Sequence, residues 1–360
     1  MSSVRQIARE AGVSITTVSR ALNNDRNVSE KTREMVLAIA NKSGYISRVG
    51  RKSTSNIAMT YTGREMIASA FDFAVLEGIS EGVDEHHLDL MILKPQRDKS
   101  SEETFSQYFM RKGVRGVILR TSAETMHVCE QIVAEGFPAI VLSERFDNKA
   151  VSYIDCCSEE ETTRAVDYLF SLGHRRIAFG MNTIPDCDHF DRLQGYEASL
   201  KAHDAPIDQS LIFRNPANLI GGATILKMAM TMANPPTALV LADPQLAIGA
   251  INKAHELGIH IPNDLSIIGF DDGDARFSVY PTMTAVCQDA RALGREATRA
   301  LSGMLGRENG QRIRQSVSCF LEIHHSTAPP RSGSEMGWMA ANGNQTSDVS
   351  KTNERNRAAG

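Results

Sequence analysis

The chain has 360 residues, 42% of them hydrophobic and 23% charged, with a formal net charge of −4 at pH 7. That length suits two or three domains with a sizeable core, and the composition excludes a disordered chain. No apolar run reaches the roughly 20 residues of a membrane span, and the start MSSVRQIAREAGVS has an acid and no apolar stretch of the kind a secretory signal needs. The expectation is a cytoplasmic protein with no membrane partner. Cys129, Cys156, Cys157, Cys187, Cys287 and Cys319 include no CxxC pair, which fits reduced thiols rather than a disulfide framework or a zinc site.

Charge is unevenly spread. Residues 1–52 hold ten Lys and Arg against four acids, whereas the remainder holds 29 against 39. A basic head on an acidic body suits a polyanion-binding module, and equally a solvated basic surface; charge alone does not choose. The head reads as three short helices. Val4, Ile7, Ala8 and Ala11 recur at helical spacing, and Gly12 ends that helix. Ser14 is placed to cap a second helix with Val18, Ala21 and Leu22 as its buried stripe; Ser29 is placed to cap a third, with Val36, Ile39 and Ala40 inward.

From residue 57 short β-rich runs alternate with helical stretches: 57–61, 89–93, 116–120, 139–142, 151–154, 176–180, 210–213, 237–242, 265–270, 283–287 and 317–323. Such alternation predicts parallel sheets flanked by helices, and some ten strands exceed the usual single open sheet, so two α/β subdomains are expected with a ligand cleft between them. The divisions are a head over 1–46, a short basic linker over 47–56, a two-lobed core over 57–330 and a tail over 331–360. The tail has no apolar period and reads as disordered.

Two helices joined through a Gly turn, the second carrying Thr16, Ser19, Arg20 and Asn23 on its outer side, describe a helix-turn-helix. Arg hydrogen-bonds guanine O6 and N7, and hydroxyls reach phosphates or base edges, so this face suits the major groove. The stretches VRQIAREAGVSITTVSRALNN, VSEKTREMVLAIANKSGY, RRIAFG, DRLQGYEASL, LSIIGFDD and HHSTAPP, spread over residues 4–330, closely resemble the LacI/GalR transcriptional regulators. The resemblance implies a homodimer that binds double-stranded operator DNA of near-palindromic sequence, acts as a repressor, and senses a small polar, carbohydrate-like effector in the core cleft. The core is then like that of periplasmic binding proteins.

By resemblance, Ile15, Thr16 and Arg20 match base-reading positions, and Ser14, Thr17, Ser19 and Asn23 match positions on phosphate or beside the groove. Ile15 departs from the polar or aromatic residue common there; helical projection allows it as core beside Leu22 or as an apolar contact to a thymine methyl. The linker is shorter than the family's by about one turn and contains no Leu. Arg48 and Arg51 are placed to neutralise phosphates, and Val49 to wedge weakly, or else the linker is a plain tether.

In the cleft, Arg192 matches the ligand-clamping arginine, Asp155 and Asp271 match acidic positions that meet ligand hydroxyls, Ser69, Phe71, Asp72 and Phe73 line the first lobe, and Gln288 lies at a crossover. Asp243, followed by Pro244, replaces the usual Asn-Asp pair, and NPANLIGG lacks the aromatic that often stacks on sugar. Arg with carboxylates is sensible chemistry for polyhydroxy compounds. No phosphate-loop, nucleophile-elbow or HExxH motif occurs, so neither an enzyme nor a metal or cofactor is expected. The alternative function is a solute-binding protein without DNA recognition.

Overall fold

The computed structural model describes residues 4–22, 25, 27–42, 54–63, 69–183, 186–306 and 312–331. The head begins with α1 (Val4–Glu10), α2 (Ile15–Leu22) and α3 (Glu30–Lys42). Ile7, Ala8, Ala11, Val18, Ala21, Val28, Val36 and Ala40 close into one small core. Gly12 takes φ +63°, which a residue with a Cβ adopts at a cost of about 1 kcal/mol, and so turns the chain from α1 into α2. Arg33 donates to the carbonyls of Asp25 (3.0 Å) and Val28 (3.3 Å), tying α3 to the turn after α2.

The core starts with β1 (Asn56–Tyr61), α4 (Ala70–Glu85), β2 (Asp89–Leu93), α5 (Pro95–Asp98), α6 (Phe105–Arg111), β3 (Val117–Arg120), α7 (Met126–Ala134), β4 (Ala139–Leu142) and β5 (Tyr153–Cys157). It continues with α8 (Glu159–Ser171), β6 (Ile177–Met181), α9 (Cys187–Ala202), β7 (Ile212–Arg214), α10 (Leu219–Met230), β8 (Ala238–Leu241), α11 (Pro244–Glu256), β9 (Ser266–Asp271) and β10 (Thr284–Cys287). The last elements are α12 (Ala290–Leu305), β11 (Arg314–Ser318) and β12 (Phe320–Glu322).

Two six-stranded sheets result, in the orders β11-β5-β4-β3-β1-β2 and β12-β10-β9-β8-β6-β7. Pairing is parallel except between β10 and β12. Alternation along each strand feeds both faces: Ile57 and Met59 join α4 and α12 on one side, and Ala58 joins Tyr108, Phe109 and Ile132 on the other. Glycines let helices touch. A Cβ on Gly294 would lie 2.1 Å from the Val75 carbonyl oxygen, so α12 rests directly on α4.

The chain crosses between lobes three times, after β5, after β10 and after β11. The run 317–323, expected as one strand, divides at Cys319: β11 pairs with β5 in the first sheet and β12 with β10 in the second. Hydrophobic pattern marks a run as extended and is blind to which sheet receives it. In each sheet the order reverses beside the first strand, between β1 and β3 in one lobe and between β6 and β8 in the other. The carboxyl ends of strands at such a reversal form the usual ligand crevice of open α/β sheets.

Candidate DNA-reading head and effector cleft

In the head, the Ser14 hydroxyl accepts from the Thr17 amide (3.0 Å) and contacts its hydroxyl (2.8 Å), capping α2. Ser29 caps α3 in the same way through the Thr32 amide (3.2 Å). With Val18 and Ala21 committed to the core, α2 turns Ile15, Thr16 and Arg20 to the surface, and Thr17 and Ser19 lie half-buried at its flanks. Ile15 is 50% exposed, so it is not a core residue. Arg20 is exposed, with its Nε 3.8 Å from Asp25, a weak pairing that leaves the guanidinium available. Asn23, Arg48, Val49 and Arg51 lie outside the described residues, as does the tail from Ser332.

The cleft is built from strand ends. On the second lobe Arg192, in α9, is 4% exposed and stacks 4.1 Å over the Phe270 ring. It donates to the Ala242 carbonyl just past β8 (2.7 Å) and to Gln288 Oε1 just past β10 (3.1 Å), and lies 3.9 Å from Asp188. Gln288 in turn donates to Asp272. Arg192 thus joins the ends of two strands and the first turn of its own helix. Burial pushes Asp272 up to about 7 against the pull of Arg192, and raises Asp188 in the same way. Asp186, the α9 N-cap, is instead held well below the usual carboxylate range: burial works against this, but His189 hydrogen-bonds it at 2.6 Å.

On the first lobe Ser69 and Asp72 form a capping box at the start of α4. Asp72 also accepts from the Tyr61 hydroxyl and lies 3.7 Å from Arg120, which stacks over Phe71 at 4.7 Å. Phe73 is exposed at the same helix start. After β4, Ser143 takes φ +57°, a conformation that costs a non-glycine residue about 1–2 kcal/mol and turns the next two residues toward the other lobe. Glu144 there accepts from the Cys187 amide (3.4 Å), and Arg145 bonds Asp191 and lies 3.5 Å from Asp155.

Ser69, Phe71 and Asp72 therefore stand at a helix start and Gln288 just past a strand end, with Arg192 over a turn into α9. Asp155 is fully buried, its Oδ1 accepting from Ser316 (2.6 Å), and faces Arg145. Asp243 caps α11 through the Gln245 (2.8 Å) and Leu246 (3.4 Å) amides, with burial raising its pKa. Asp271 departs from expectation. Its carboxylate accepts from the amides of Gly273, Ala275 and Arg276 and from the Arg276 guanidinium, so it is spent on its own loop, and Asp272 takes the position near Arg192. Cys156 is buried, whereas Cys157 is exposed.

The sequence reading did not single out Arg120, Glu144, Arg145, Asp186, Asp188, His189 or Asp272. The signal for three of them was the first turn of α9, DCDHFDR, whose charged residues directly precede Arg192. Among the described residues no group of three or more His, Cys, Asp or Glu is arranged to hold a metal, and no helix is long and apolar enough to cross a membrane.

A helix-turn-helix unit followed by a two-lobed core of the periplasmic-binding type defines a DNA-binding transcriptional regulator with a sensor domain, not an enzyme. Residues 3–47 match the bacterial regulatory proteins of the lacI family, and residues 166–327 match the periplasmic binding protein-like domain. The chain thus carries a lacI-family DNA-binding domain and a periplasmic binding protein-like domain, and its relatives are transcriptional regulators. It is 29% identical over 343 residues to the HTH-type transcriptional regulator DegA of Bacillus subtilis, covering 91% of this chain and 98% of that one. It is likewise 29% identical over 331 residues to the HTH-type transcriptional repressor CytR of Escherichia coli, covering 91% and 96%. The solved structure of the lac repressor dimer bound to operator and the anti-inducer ONPF has the same fold, with a TM-score of 0.65 at 22% identity over 91% of this chain and 99% of that one.

Proposed function

We propose that this protein is a cytoplasmic repressor that binds a near-palindromic operator as a homodimer and responds to a small, polar, carbohydrate-like effector in the cleft. The observation that carries the proposal is the division of labour on α2, where Val18 and Ala21 hold the head together while Thr16 and Arg20 stand free to meet a major groove. Residues 1–46 read the DNA, with Ser14, Ile15, Thr17, Ser19 and Asn23 beside Thr16 and Arg20, and Arg48 and Arg51 of the 47–56 linker neutralise phosphates. The core over 57–330 takes the effector among Arg192, Gln288, Asp155, Asp243, Asp72, Ser69 and Phe71. An effector that binds the two lobe arrangements unequally shifts their populations, and with them the spacing of the two heads.

Pairing of two chains is supported by exposed apolar side chains on the second lobe: Ile220 is 78% and Tyr280 86% exposed, and Leu219 and Phe277 are exposed as well. Burying such side chains against a second copy removes them from water.

The test is selection of bound fragments from a random duplex library by the full-length protein at two salt concentrations. The proposal requires a two-fold symmetric site. Salt-sensitive binding with no sequence preference sinks it, and sedimentation of a monomer at micromolar concentration removes the dimer.

A further inference from the structure

The cleft carries a charge imbalance that a neutral sugar does not answer. On the second lobe Asp186, Asp188, Asp243 and Asp272 all interact electrostatically with one guanidinium, that of Arg192. The His189 ring, 2.6 Å from Asp186, does not even the count, and burial answers part of it by holding protons on Asp188 and Asp272. The cations of the first lobe do not close the gap: Arg120 pulls on Asp186 and Asp188 but lies 3.7 Å from Asp72, and Arg145 is shared between Asp155 and Asp191.

Several buried polar atoms also have no hydrogen-bond partner. Asp188 is 5% exposed and its Oδ1 accepts nothing; Arg192 Nε donates nothing, although the two side chains approach to 3.9 Å. Asp191 Oδ2 is an acceptor without a hydrogen bond at the junction of the lobes, Asp155 Oδ2 has only the ion pair with Arg145 at 3.5 Å, and His189 Nε2 makes no hydrogen bond either. Buried polar atoms are nearly always satisfied, so these mark a place that something fills. A hydroxyl placed between Asp188 and Arg192 would donate to Oδ1 and accept from Nε. Hydroxyls leave the surplus negative charge where it was. An anion worsens it, and an ammonium group among Asp272, Asp243 and Asp188 offsets one negative charge while supplying three donors.

Resting on the reading of this cleft as the effector site, we propose that the effector is a hydroxylated organic cation, an amine-bearing sugar or a polyol-amine of that size. Its ammonium group sits among Asp188, Asp243 and Asp272, and a hydroxyl bridges Asp188 and Arg192. The surplus carboxylates are then a specificity device: they reject hexuronates and sugar phosphates by repulsion, and favour the ammonium compound over its parent hexose.

The test uses the full-length protein and matched probes on one ring. These are D-glucosamine, D-galactosamine and D-mannosamine, their parent hexoses, their N-acetyl forms, and D-glucuronate and D-galacturonate. Thermal unfolding is followed with each, and calorimetry with those that shift the midpoint. At least one amine is expected to raise the midpoint and to bind about tenfold or more tightly than its parent hexose and N-acetyl form. Asp272→Asn, nearly isosteric, is expected to reduce that amine to the affinity of its parent; Asp188→Asn serves in its place should the first variant unfold.

A hexuronate or neutral hexose that stabilises the protein as much as the amine overturns the cation while leaving the cleft as the effector site. Absence of any shift from all three amines overturns it too. Operator binding by the same preparation separates the outcomes, since a protein that selects its operator while ignoring every amine remains a regulator with a different effector. Loss of both takes the regulator reading down as well.

Discussion

The head and the cleft solve the same problem, presenting polar groups to a partner, in opposite ways. In the head, the groups offered to DNA stand on eight consecutive residues of α2, and one serine and one glycine set their orientation. In the cleft, Arg192 is aimed by the carbonyl of Ala242, the amide of Gln288 and the ring of Phe270, each from a different strand end. A site carried by one helix tolerates loss of a side chain at local cost. A site assembled from strand ends is also part of the packing, so removing one member is felt by the whole lobe.

The largest effect that would break or sustain this contrast is expected for Arg192→Ala. It leaves Asp188 and Asp272 buried beside an empty space, and breaking a buried pair costs about 3–5 kcal/mol. The unfolding midpoint should fall by many degrees and the effector response should vanish, while operator binding persists below that midpoint. An unchanged midpoint would show that Arg192 is not integral to the packing.

Arg20→Ala should cost about 1–3 kcal/mol on the selected operator, relax preference at one base pair, and leave the midpoint of the core unmoved. A uniform loss across all sequences would make Arg20 a phosphate contact. Ser14→Ala removes the cap of α2 and should destabilise the head by about 1 kcal/mol, read by calorimetry of the intact protein as an earlier, separate transition. Ile15→Ala, at a half-exposed position, should change stability by about 0.5 kcal/mol or less while altering base preference, which repeated selection would detect.

The smallest effect is one of pH. Burial holds Asp272 near 7, far above the roughly 4 of a carboxyl in an unfolded chain, with Asp243 and Asp271 adding to the shift and Arg192 and Gln288 opposing it. Asp188 is raised by burial and Asp186 against the pull of Arg192, Arg120 and His189. Between pH 4 and 7 the folded protein then binds more protons at these groups than the unfolded chain, so their contribution to stability falls as pH rises. His174, buried with its pKa lowered, works in the other direction below pH 6.5. The informative quantity is therefore the difference between proteins: from pH 6 to pH 8 the midpoint should fall less steeply for Asp272→Asn than for the native chain.

The same contrast explains what could be read from sequence. The head was nearly complete in its own letters, because helix periodicity, Gly12 and the Ser14 cap act over a few residues. Only the status of Ile15 needed coordinates, since projection places it between the core and the surface. The strands of the core were visible as apolar runs, but the split at Cys319 was not, because a single extended run serves two sheets. In the cleft, only resemblance points to Arg192, Gln288 and Asp271, and no local rule tells which of the adjacent Asp271 and Asp272 bonds the amides of Gly273, Ala275 and Arg276 and which lies near Arg192. Arg120 and Arg145 lie 72 and 47 positions from Arg192 and share no periodicity with it.

The placement of α12 and β11 bears on how the chain is made. Strands β1 to β5 of the first lobe are synthesised early, yet their sheet lacks its outer strand until residue 318 and their helical layer lacks α12 until residue 305. The second lobe needs only the continuous stretch from α8 to β10, apart from the late edge strand β12. During translation the second lobe has all its helices and all but one of its strands before the first lobe has α12, and a nascent chain stalled before residue 290 exposes the apolar face of α4 that Leu293, Ala297 and Leu301 later cover.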